Sequence, residues 1–257
     1  MLAVISPAKK LDFDRTNAPS DHSDLIFRKD TEDLLKTARK LKADDLKRLM
    51  KISDDLGQLN YQRFQAMSFP FTEENAKQAA FAFNGDTYAG FDAPSLSKEE
   101  LAYAQDHVRI LSGLYGLVRP LDLIQPYRLE MGTRLSNPRG GTLYDFWGTK
   151  LADALNTELS SHSNPTLINV ASNEYFKAVK KSALTIPVIT PVFKEVKDGV
   201  AKVIGFPAKR ARGMMARYIS QNRIDTPEGI KDFTSAGYKF QPALSSETDY
   251  QFHRKVS

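Results

Sequence analysis

The apolar residues in the first third of the chain recur three and four positions apart, which is the spacing of one helix face. Leu34, Leu35 and Ala38 are the clearest set. A polar residue that can cap a helix N-terminus precedes this run and three later ones, and Ser97 also has Glu100 three positions on, the pattern of a capping box. We therefore expect a helical layer over residues 24–107, with helix starts at Asp30, Ser53, Thr72 and Ser97.

Short apolar runs rich in Val and Ile, which are typical of strands, dominate the second half. Strands and helices do not alternate regularly, which argues against a doubly wound parallel sheet. The predicted fold class is α+β: a single compact domain over residues 1–257, in which helices surround a mixed β-sheet. Its strand-rich part covers residues 108–257 together with a first strand at 2–6. The predicted strands are Val108–Leu111, Leu167–Val170, a hairpin of Ile186–Val196 and Gly199–Phe206, and Tyr250–Lys255; the two long helices are Tyr144–Leu159 and Lys209–Asn222.

Composition excludes several classes of protein. The chain has no cysteine, so disulfides, thiolate metal sites and a cysteine nucleophile are absent. No run approaches the roughly 18 apolar residues that span a bilayer. The apolar start Leu2–Ile5 precedes its lysines, which is the reverse of a signal peptide, and we expect a cytoplasmic protein without membrane contact. Because the histidines lack ligand spacing, we predict no metal site and no cofactor; they are His22, His107, His162 and His253.

Positive charge is concentrated late in the chain. The net charge is +5, from 36 Lys and Arg against 31 Asp and Glu, and the segment 206–224 holds five basic residues and no acid. Lys209, Arg210 and Arg212 stand at the predicted start of a helix, where positive charge opposes the helix dipole and costs stability. A sequence that accepts this cost often has an anionic partner, and phosphate is our candidate. The alternative is a solvated helix face.

Two loops next to predicted strands are further candidates for anion binding. Ser6–Lys10 follows the first strand, and open α/β sheets bind ligands at such strand ends, so its two lysines are candidate phosphate ligands. Gly113 and Gly116 bracket a turn that would let backbone amides approach an anion, which is the general form of the turn in helix-hairpin-helix DNA binders. A tight structural turn, with Arg119 paired to Asp122, is the alternative.

Two polar motifs indicate hydrogen bonding or acid–base chemistry. Arg128 and Glu130 alternate along a predicted strand, so they share a face as an ion pair or as half of a polar site. Asn169–Lys177 has the pattern of a strand, a polar turn and a helix start, in which Ser172 caps the helix and Glu174 lies in its first turn. Glu174 disfavours a bare phosphate there and favours a general acid or base. The chain has no Walker loop, dinucleotide fingerprint, nucleophile elbow or HExxH motif.

Together these motifs resemble the YaaA family of bacterial peroxide-stress proteins. The matching pieces run in one order from residue 2 to about residue 219, so the resemblance covers nearly the whole chain. The long central piece is highly specific. The pieces are LAVISPAKKLD, RILSGLYGLVRPLDLIQPYRLEMGTRL, LYDFWG, INVASNEYFKAVK, PVFKE and AKRARGMMARYI.

The resemblance implies a cytoplasmic bacterial protein that helps cells to survive hydrogen peroxide and holds intracellular free iron down. It also implies a helix-hairpin-helix element beside a basic cleft, and binding to duplex and distorted DNA. Two segments are candidates for this element. One is the Gly113–Gly116 turn, and the other is the set of helices between Thr31 and Phe64, which lack the expected glycine pair.

Our leading hypothesis is a DNA-binding protein, without an obligate protein partner, that protects DNA in the peroxide response. We favour this over an enzyme because no catalytic signature is present. The predicted DNA or phosphate contacts are Lys9, Lys10, Arg109, Gly113, Gly116, Arg119, Arg128, Lys209, Arg210 and Arg212. The alternative is an enzyme acting on a nucleotide, nucleobase or damaged base, with candidate catalytic residues Lys9, Glu130, Ser172, Glu174 and Tyr175. A third hypothesis is an iron-handling protein, which could use only carboxylate-rich sites.

Overall fold

Strands from both halves of the chain build the central sheet. The computed structural model describes residues 1–14 and 18–256. The strands are β1 (Leu2–Ile5), β2 (Lys10–Leu11), β3 (Lys77–Gln78), β4 (Phe83–Asn84), β5 (Val108–Ser112), β6 (Gly116–Val118), β7 (Leu123–Ile124), β8 (Leu167–Asn169), β9 (Val188–Lys197), β10 (Val200–Lys202), β11 (Lys239–Phe240) and β12 (Asp249–Lys255).

Helices cover this sheet and fill much of the first half. They are α1 (Arg28–Ala38), α2 (Ala43–Met50), α3 (Asp54–Ala66), α4 (Ala79–Ala82), α5 (Asp86–Phe91), α6 (Lys98–His107), α7 (Leu143–Trp147), α8 (Lys150–Leu159), α9 (Asn173–Phe176) and α10 (Gly205–Gln221). Short 3-10 turns lie at Ala93–Ser95, Lys181–Ala183, Pro227–Asp232, Ser235–Gly237 and Pro242–Leu244. No helix within the described residues has both the length and the apolar character to cross a bilayer.

The sheet is mixed, as the sequence predicts. Its strand order is β11-β12-β9-β8-β1-β5-β6, with β10 paired to β9. The pairs β1–β5, β1–β8, β8–β9 and β9–β12 are parallel, whereas β6, β10 and β11 join as antiparallel strands. All of β1 is buried, which explains its unbroken apolar sequence, since a parallel strand inside a sheet is covered on both faces.

The parallel strands give the sheet two distinct edges. The carboxyl edge is where β1 ends at Ile5 and β8 ends at Asn169; the amino edge is where β1 and β5 begin. One hydrophobic cluster, extending along the chain from Met1 to Phe252, packs on the sheet. The fold is therefore a single compact α+β domain, as predicted.

Several predicted elements form at or close to their expected places. Ser53 and Ser97 cap α3 and α6, and their hydroxyls accept the N–H groups of Leu56 and Glu100. The strands β5, β8 and β12 and the β9–β10 hairpin confirm the strand predictions, although β10 ends at Lys202 because α10 begins at Gly205. Lys209 therefore lies one turn inside α10, so the expected conflict with the helix dipole is smaller than predicted.

Other helix predictions are wrong because tertiary contacts decide the local structure. Asp30 does not cap α1 but lies inside it, where it accepts ion pairs from Arg139 (2.7 Å) and Lys150 (3.1 Å). Thr72 begins a turn instead of a helix, since the chain then enters β3, which pairs with β7.

Two further predictions need correction near the middle of the chain. The helix predicted over Tyr144–Leu159 is split into α7 and α8, because Gly148 between them has a φ of +53°. Arg128 and Glu130 lie in an extended loop, not in a strand, but their side chains do meet, with Arg128 Nη2 donating to Glu130 Oε1 over 2.9 Å.

Candidate functional site

A cleft of about 420 Å³ opens at the carboxyl edge of the sheet. It lies where the loop after β1, the segment between β4 and α5, the start of α9 and one face of α10 meet. We call it the carboxyl-edge cleft. Its lining residues are Ser6, Pro7, Ala8, Lys9, Lys10, Asn84, Gly85, Asp86, Thr87, Ser172, Glu174, Tyr175, Lys209 and Arg212.

Backbone pairing fixes the loop that carries Lys9. The loop leaves β1 at Ser6 and enters β2, which pairs with β4 through Lys10 and Asn84. The Ser6 hydroxyl accepts the N–H of Ser172 over 2.8 Å, which joins the ends of β1 and β8. Tyr88 donates its hydroxyl to the Ser6 carbonyl oxygen over 3.2 Å. These bonds hold the floor of the cleft in one arrangement.

The short helix α9 supplies Glu174 and Tyr175. Ser172 precedes α9, but its hydroxyl makes no capping bond there, contrary to the prediction. Instead, the Glu174 carboxylate accepts the N–H of Gly132 over 3.0 Å, and the Glu174 carbonyl accepts the Tyr144 hydroxyl over 2.9 Å. Glu174 is thus oriented by the loop after Glu130 while its side chain lines the cleft.

Helix α10 brings Lys209 and Arg212 to the cleft because it packs closely on α5. A Cβ atom on Gly213 would lie 1.7 Å from the Thr87 carbonyl oxygen, so only glycine permits this approach. Burial lowers the pKa of Arg212 from its usual value. In the part of the chain that the structure describes, no carboxylate lies within 4.0 Å of the cationic groups of Lys10, Lys209 or Arg212.

Lys9 belongs to a chain of ion pairs at the side of the cleft. Its ammonium lies 2.8 Å from Glu130 Oε2, and Glu130 Oε1 accepts the bond from Arg128. The Glu130 and Arg128 side chains are about one-fifth exposed, and Arg128 Nε is buried without a hydrogen-bond partner among the described residues. One carboxylate therefore partly neutralises two cations, and Arg128 keeps an unused donor.

Tyrosine side chains form the apolar layer under the cleft. Burial raises the pKa of Tyr175, and the nearby phenol of Tyr127 and the carboxylates of Glu174 and Glu130 raise it further. The pKa values of Tyr88 and Tyr127 are raised by burial as well. All three phenols therefore stay protonated near neutral pH and do not act as bases.

The fold brings together nine of the fourteen site residues that the sequence singled out. Those lining the carboxyl-edge cleft are Lys9, Lys10, Ser172, Glu174, Tyr175, Lys209 and Arg212, and Glu130 and Arg128 join them through Lys9. They come from segments that lie up to about two hundred positions apart. The parallel pairing of β1 with β8 brings the loop after β1, with Lys9 and Lys10, next to the segment 172–175.

Arg109 and Arg119 do not belong to this group. Arg109 lies in β5 towards the amino edge, is 6% exposed and pairs with Glu158 over 2.7 Å. Arg119 follows β6, which runs back to the amino edge, and pairs with the fully buried Asp122 over 2.9 Å. The alternative given above for Arg119, a structural pair with Asp122, is what the fold contains.

The Gly113–Gly116 turn and Arg210 are also separate from the cleft. The turn joins the antiparallel strands β5 and β6 and is enclosed, with Leu114 and Tyr115 0% exposed. It is a buried β-hairpin turn, so it is not a helix-hairpin-helix element and its amides face no solvent-accessible phosphate. Arg210 is exposed on another side of α10, in a depression that it shares with Asp92 and Arg217.

Sequence reasoning missed the segment 84–88. Asn84, Gly85, Asp86 and Thr87 line the cleft, and Tyr88 supports Ser6. The polar run Asn84–Gly85–Asp86 between two apolar runs was a usable signal for a turn, but the predicted helix from Thr72 obscured it.

Comparison with known proteins identifies the family. The model of the family described as peroxide stress protein YaaA matches residues 1–244. This chain belongs to the YaaA family. A UPF0246 protein of Burkholderia lata is 53% identical over 258 residues, covering 100% of this chain and 99% of that protein. A UPF0246 protein of Saccharophagus degradans is 52% identical over 255 residues, covering 99% and 100%. Membership of the YaaA family supports a role in the peroxide stress response.

Proposed function

We propose that this YaaA-family protein binds DNA through the carboxyl-edge cleft during peroxide stress and thereby protects it. The observation that carries the proposal is the set of cations without ion-pair partners among the described residues: Lys10, Lys209 and Arg212 all line one cleft. Cations that do not already have carboxylate partners gain most from a phosphate, because binding costs them no existing ion pair.

The balance of charge in the cleft supports a polyanion. Four basic residues line it against two acidic ones, Asp86 and Glu174. Contacts of Lys and Arg with phosphates carry no sequence information. We therefore expect binding that is independent of sequence and strongly dependent on salt.

The helix pair α2–α3 is our candidate for the helix-hairpin-helix element. Three residues, Lys51 to Ser53, join the helices, and Lys51 takes the left-handed conformation (φ 53°) that glycine supplies in tight turns. The first turns of both helices are acidic, with Asp44, Asp45, Asp54 and Asp55, so phosphates would contact the turn's amides less favourably than the cleft's cations.

Neighbouring residues on α10 give a matched test. Lys209 and Arg210 are both exposed and adjacent in sequence, but only Lys209 lines the cleft. We expect Lys209→Ala to weaken binding to a 20-base-pair duplex and to reduce the slope of log K against log salt by about 1, the value for one phosphate contact. Arg210→Ala should leave the slope unchanged. Equal effects of the two variants, measured by fluorescence anisotropy, would reject the cleft as the binding site.

A second candidate function is an enzyme acting on a nucleotide, nucleobase or damaged base at the same cleft. The observation that favours it is the oriented carboxylate of Glu174 next to the protonated phenol of Tyr175, which phosphate binding does not require. Glu174→Gln should abolish complementation of a peroxide-sensitive strain if Glu174 transfers a proton. If the protein only binds DNA, the variant should complement fully and bind DNA as tightly or more tightly.

The proposed function includes a lower level of free iron in cells, and we expect this effect to be indirect. Glu130 is already paired with Lys9 and Arg128, and within the described residues no cluster of three or more His, Cys, Asp or Glu side chains could hold a metal ion. Equilibrium dialysis of the purified protein against ferrous iron checks this point. Saturable binding at micromolar iron would contradict an indirect effect.

A further inference from the structure

The β9–β10 hairpin and the start of α10 expose apolar side chains that the cleft does not include. Val200, Val203, Ile204 and Phe206 are 53%, 54%, 44% and 62% exposed. Single exposed apolar residues are ordinary on a protein surface, but these four fall within seven consecutive positions. We call them the apolar strip.

The apolar strip ends one helical turn before Lys209, a residue that lines the carboxyl-edge cleft. Phe206 and Lys209 are three positions apart on α10, so they lie on the same helix face about one turn apart. Lys209 lines the cleft, so Phe206 lies one turn of α10 before a cleft-lining residue. Val200 lies in β10, which pairs with β9, and Phe206 lies in α10, whereas Val203 and Ile204 form the link between these two elements.

The positive charge around the apolar strip indicates what kind of ligand it would bind. Residues 197–212 contain one acid, Asp198, against five basic residues, which are Lys197, Lys202, Lys209, Arg210 and Arg212. An apolar surface within a positive field suits a polyanion that also has apolar faces. Nucleobases meet this description, since every base has a face on which an aromatic ring can stack.

We propose that Phe206 inserts against an unstacked base of distorted DNA while the adjoining phosphates lie in the carboxyl-edge cleft. This inference rests on the DNA binding proposed above and adds the residue that selects distorted DNA. Proteins that kink DNA insert apolar side chains at a base step in the same way, which costs least where the base is already unpaired. Val203 and Ile204 extend the apolar contact beyond the ring.

Two duplexes of one sequence test the proposal, one fully paired and one with a two-nucleotide bulge that carries 2-aminopurine. We expect the unaltered protein to bind the bulged duplex more tightly and to raise the 2-aminopurine fluorescence. Phe206→Ala should reduce the preference for the bulge by roughly 5- to 150-fold, the range for one stacked base. Phe206→Trp should retain the preference.

Leu244→Ala is the matched control, because Leu244 is 59% exposed but lies outside the hairpin and α10. It should leave the preference for the bulge unchanged. Val203→Ser, a second variant of the apolar strip, should lower it by a smaller factor than Phe206→Ala. Urea unfolding midpoints should be the same for all four variants, since each altered side chain is exposed.

The outcomes separate this inference from the proposed function. If Phe206→Ala binds both duplexes with the same ratio as the unaltered protein, the role of Phe206 is overturned and DNA binding by the cleft stands. If the unaltered protein binds neither duplex, both proposals are overturned. Phe206→Ala could also keep the affinity ratio of the two duplexes but bind phosphatidylglycerol vesicles more weakly, which would assign the apolar strip to a membrane surface. If it kept the ratio but lost a dimer in sedimentation velocity, the strip would be assigned to a second copy of the chain.

Discussion

At the carboxyl edge of the central sheet basic side chains line a cleft, whereas at the amino edge two arginines pair with carboxylates. Lys10, Lys209 and Arg212 have no ion-pair partner among the residues that the structure describes. Arg109 and Arg119, at the other edge, are bound to Glu158 and Asp122. The amino edge has its own depression of about 510 Å³, where Arg109 pairs with Glu158 and His162 contacts the amino nitrogen of Met1.

This difference shows that positive charge in a sequence has two separate uses. A basic residue next to a buried acid stabilises the fold, because it pairs with a charge that would be costly to bury alone. A basic residue on a helix face that borders a cleft has no such role and is available to a ligand. The comparison therefore predicts that variants at the amino edge change stability and that variants at the carboxyl edge change binding.

The largest expected effect comes from removing the buried acid at the amino edge. Asp122 is 0% exposed and accepts bonds from the Ser23 hydroxyl, the Arg119 N–H and the Arg119 guanidinium at 2.6, 2.8 and 2.9 Å. Asp122→Ala should lower the free energy of unfolding by about 3 kcal/mol, because it leaves these donors without their acceptor. Urea denaturation measures this loss.

Binding provides the control for the Asp122 variant. The folded fraction of Asp122→Ala should bind duplex DNA with the same salt slope as the unaltered protein, because Asp122 and Arg119 lie at the opposite edge from the cleft. A changed slope would mean that the amino edge also contacts phosphates, and the distinction between the two edges would fail.

An effect of intermediate size is expected from removing one carboxylate at each edge of the sheet and comparing the DNA affinities of the two variants. Glu130→Gln should raise duplex affinity by about 2- to 5-fold at low salt, because Lys9 and Arg128 lose the acid that partly neutralises them. Glu158→Gln removes the same charge at the amino edge. It should leave the affinity unchanged and lower the stability, since Arg109 is buried. Equal affinity gains in both variants would indicate a general effect of net charge.

The positions of buried strands and of two helix starts could be predicted from this sequence better than the site could. Unbroken apolar runs such as Leu2–Ile5 identify buried strands, and the serines at 53 and 97 identify helix starts by local chemistry. These signals are local. The position of Asp30, by contrast, depends on Arg139 and Lys150, more than a hundred positions away, and no local pattern reveals them.

The site illustrates the same limit. The turn at Gly113 has the glycine spacing of an anion-binding loop, but Leu114 and Tyr115 fill the core there. Whether a glycine turn faces solvent or the interior depends on which elements cover it, and the sequence of the turn does not contain that information. Lys209 and Arg210 likewise differ only in the helix face that they occupy, which depends on the packing of α10 on α5.

The smallest expected effect concerns two histidines at the amino edge. The rings of His107 and His162 lie 4.8 Å apart, with His162 Nδ1 3.2 Å from the amino nitrogen of Met1. Loss of hydration, followed by the positive charges of the Met1 amine, His107 and Arg109, lowers the pKa of His162 to about 4. Burial also lowers the pKa of His107. The folded protein therefore favours both rings in their neutral form.

Acid should consequently destabilise the protein through these two histidines. Between pH 6.5 and pH 4 the unfolded chain binds a proton at His162 that the folded chain does not, so stability falls as the pH falls through this range. Because His162 is partly exposed, solvent screening should limit its share to about 1 kcal/mol or less. Urea midpoints at pH 7.5 and pH 5 should therefore differ less in His162→Gln than in the unaltered protein. An equal difference in both proteins would assign the acid sensitivity to other groups, with His107 the first to examine by the same substitution.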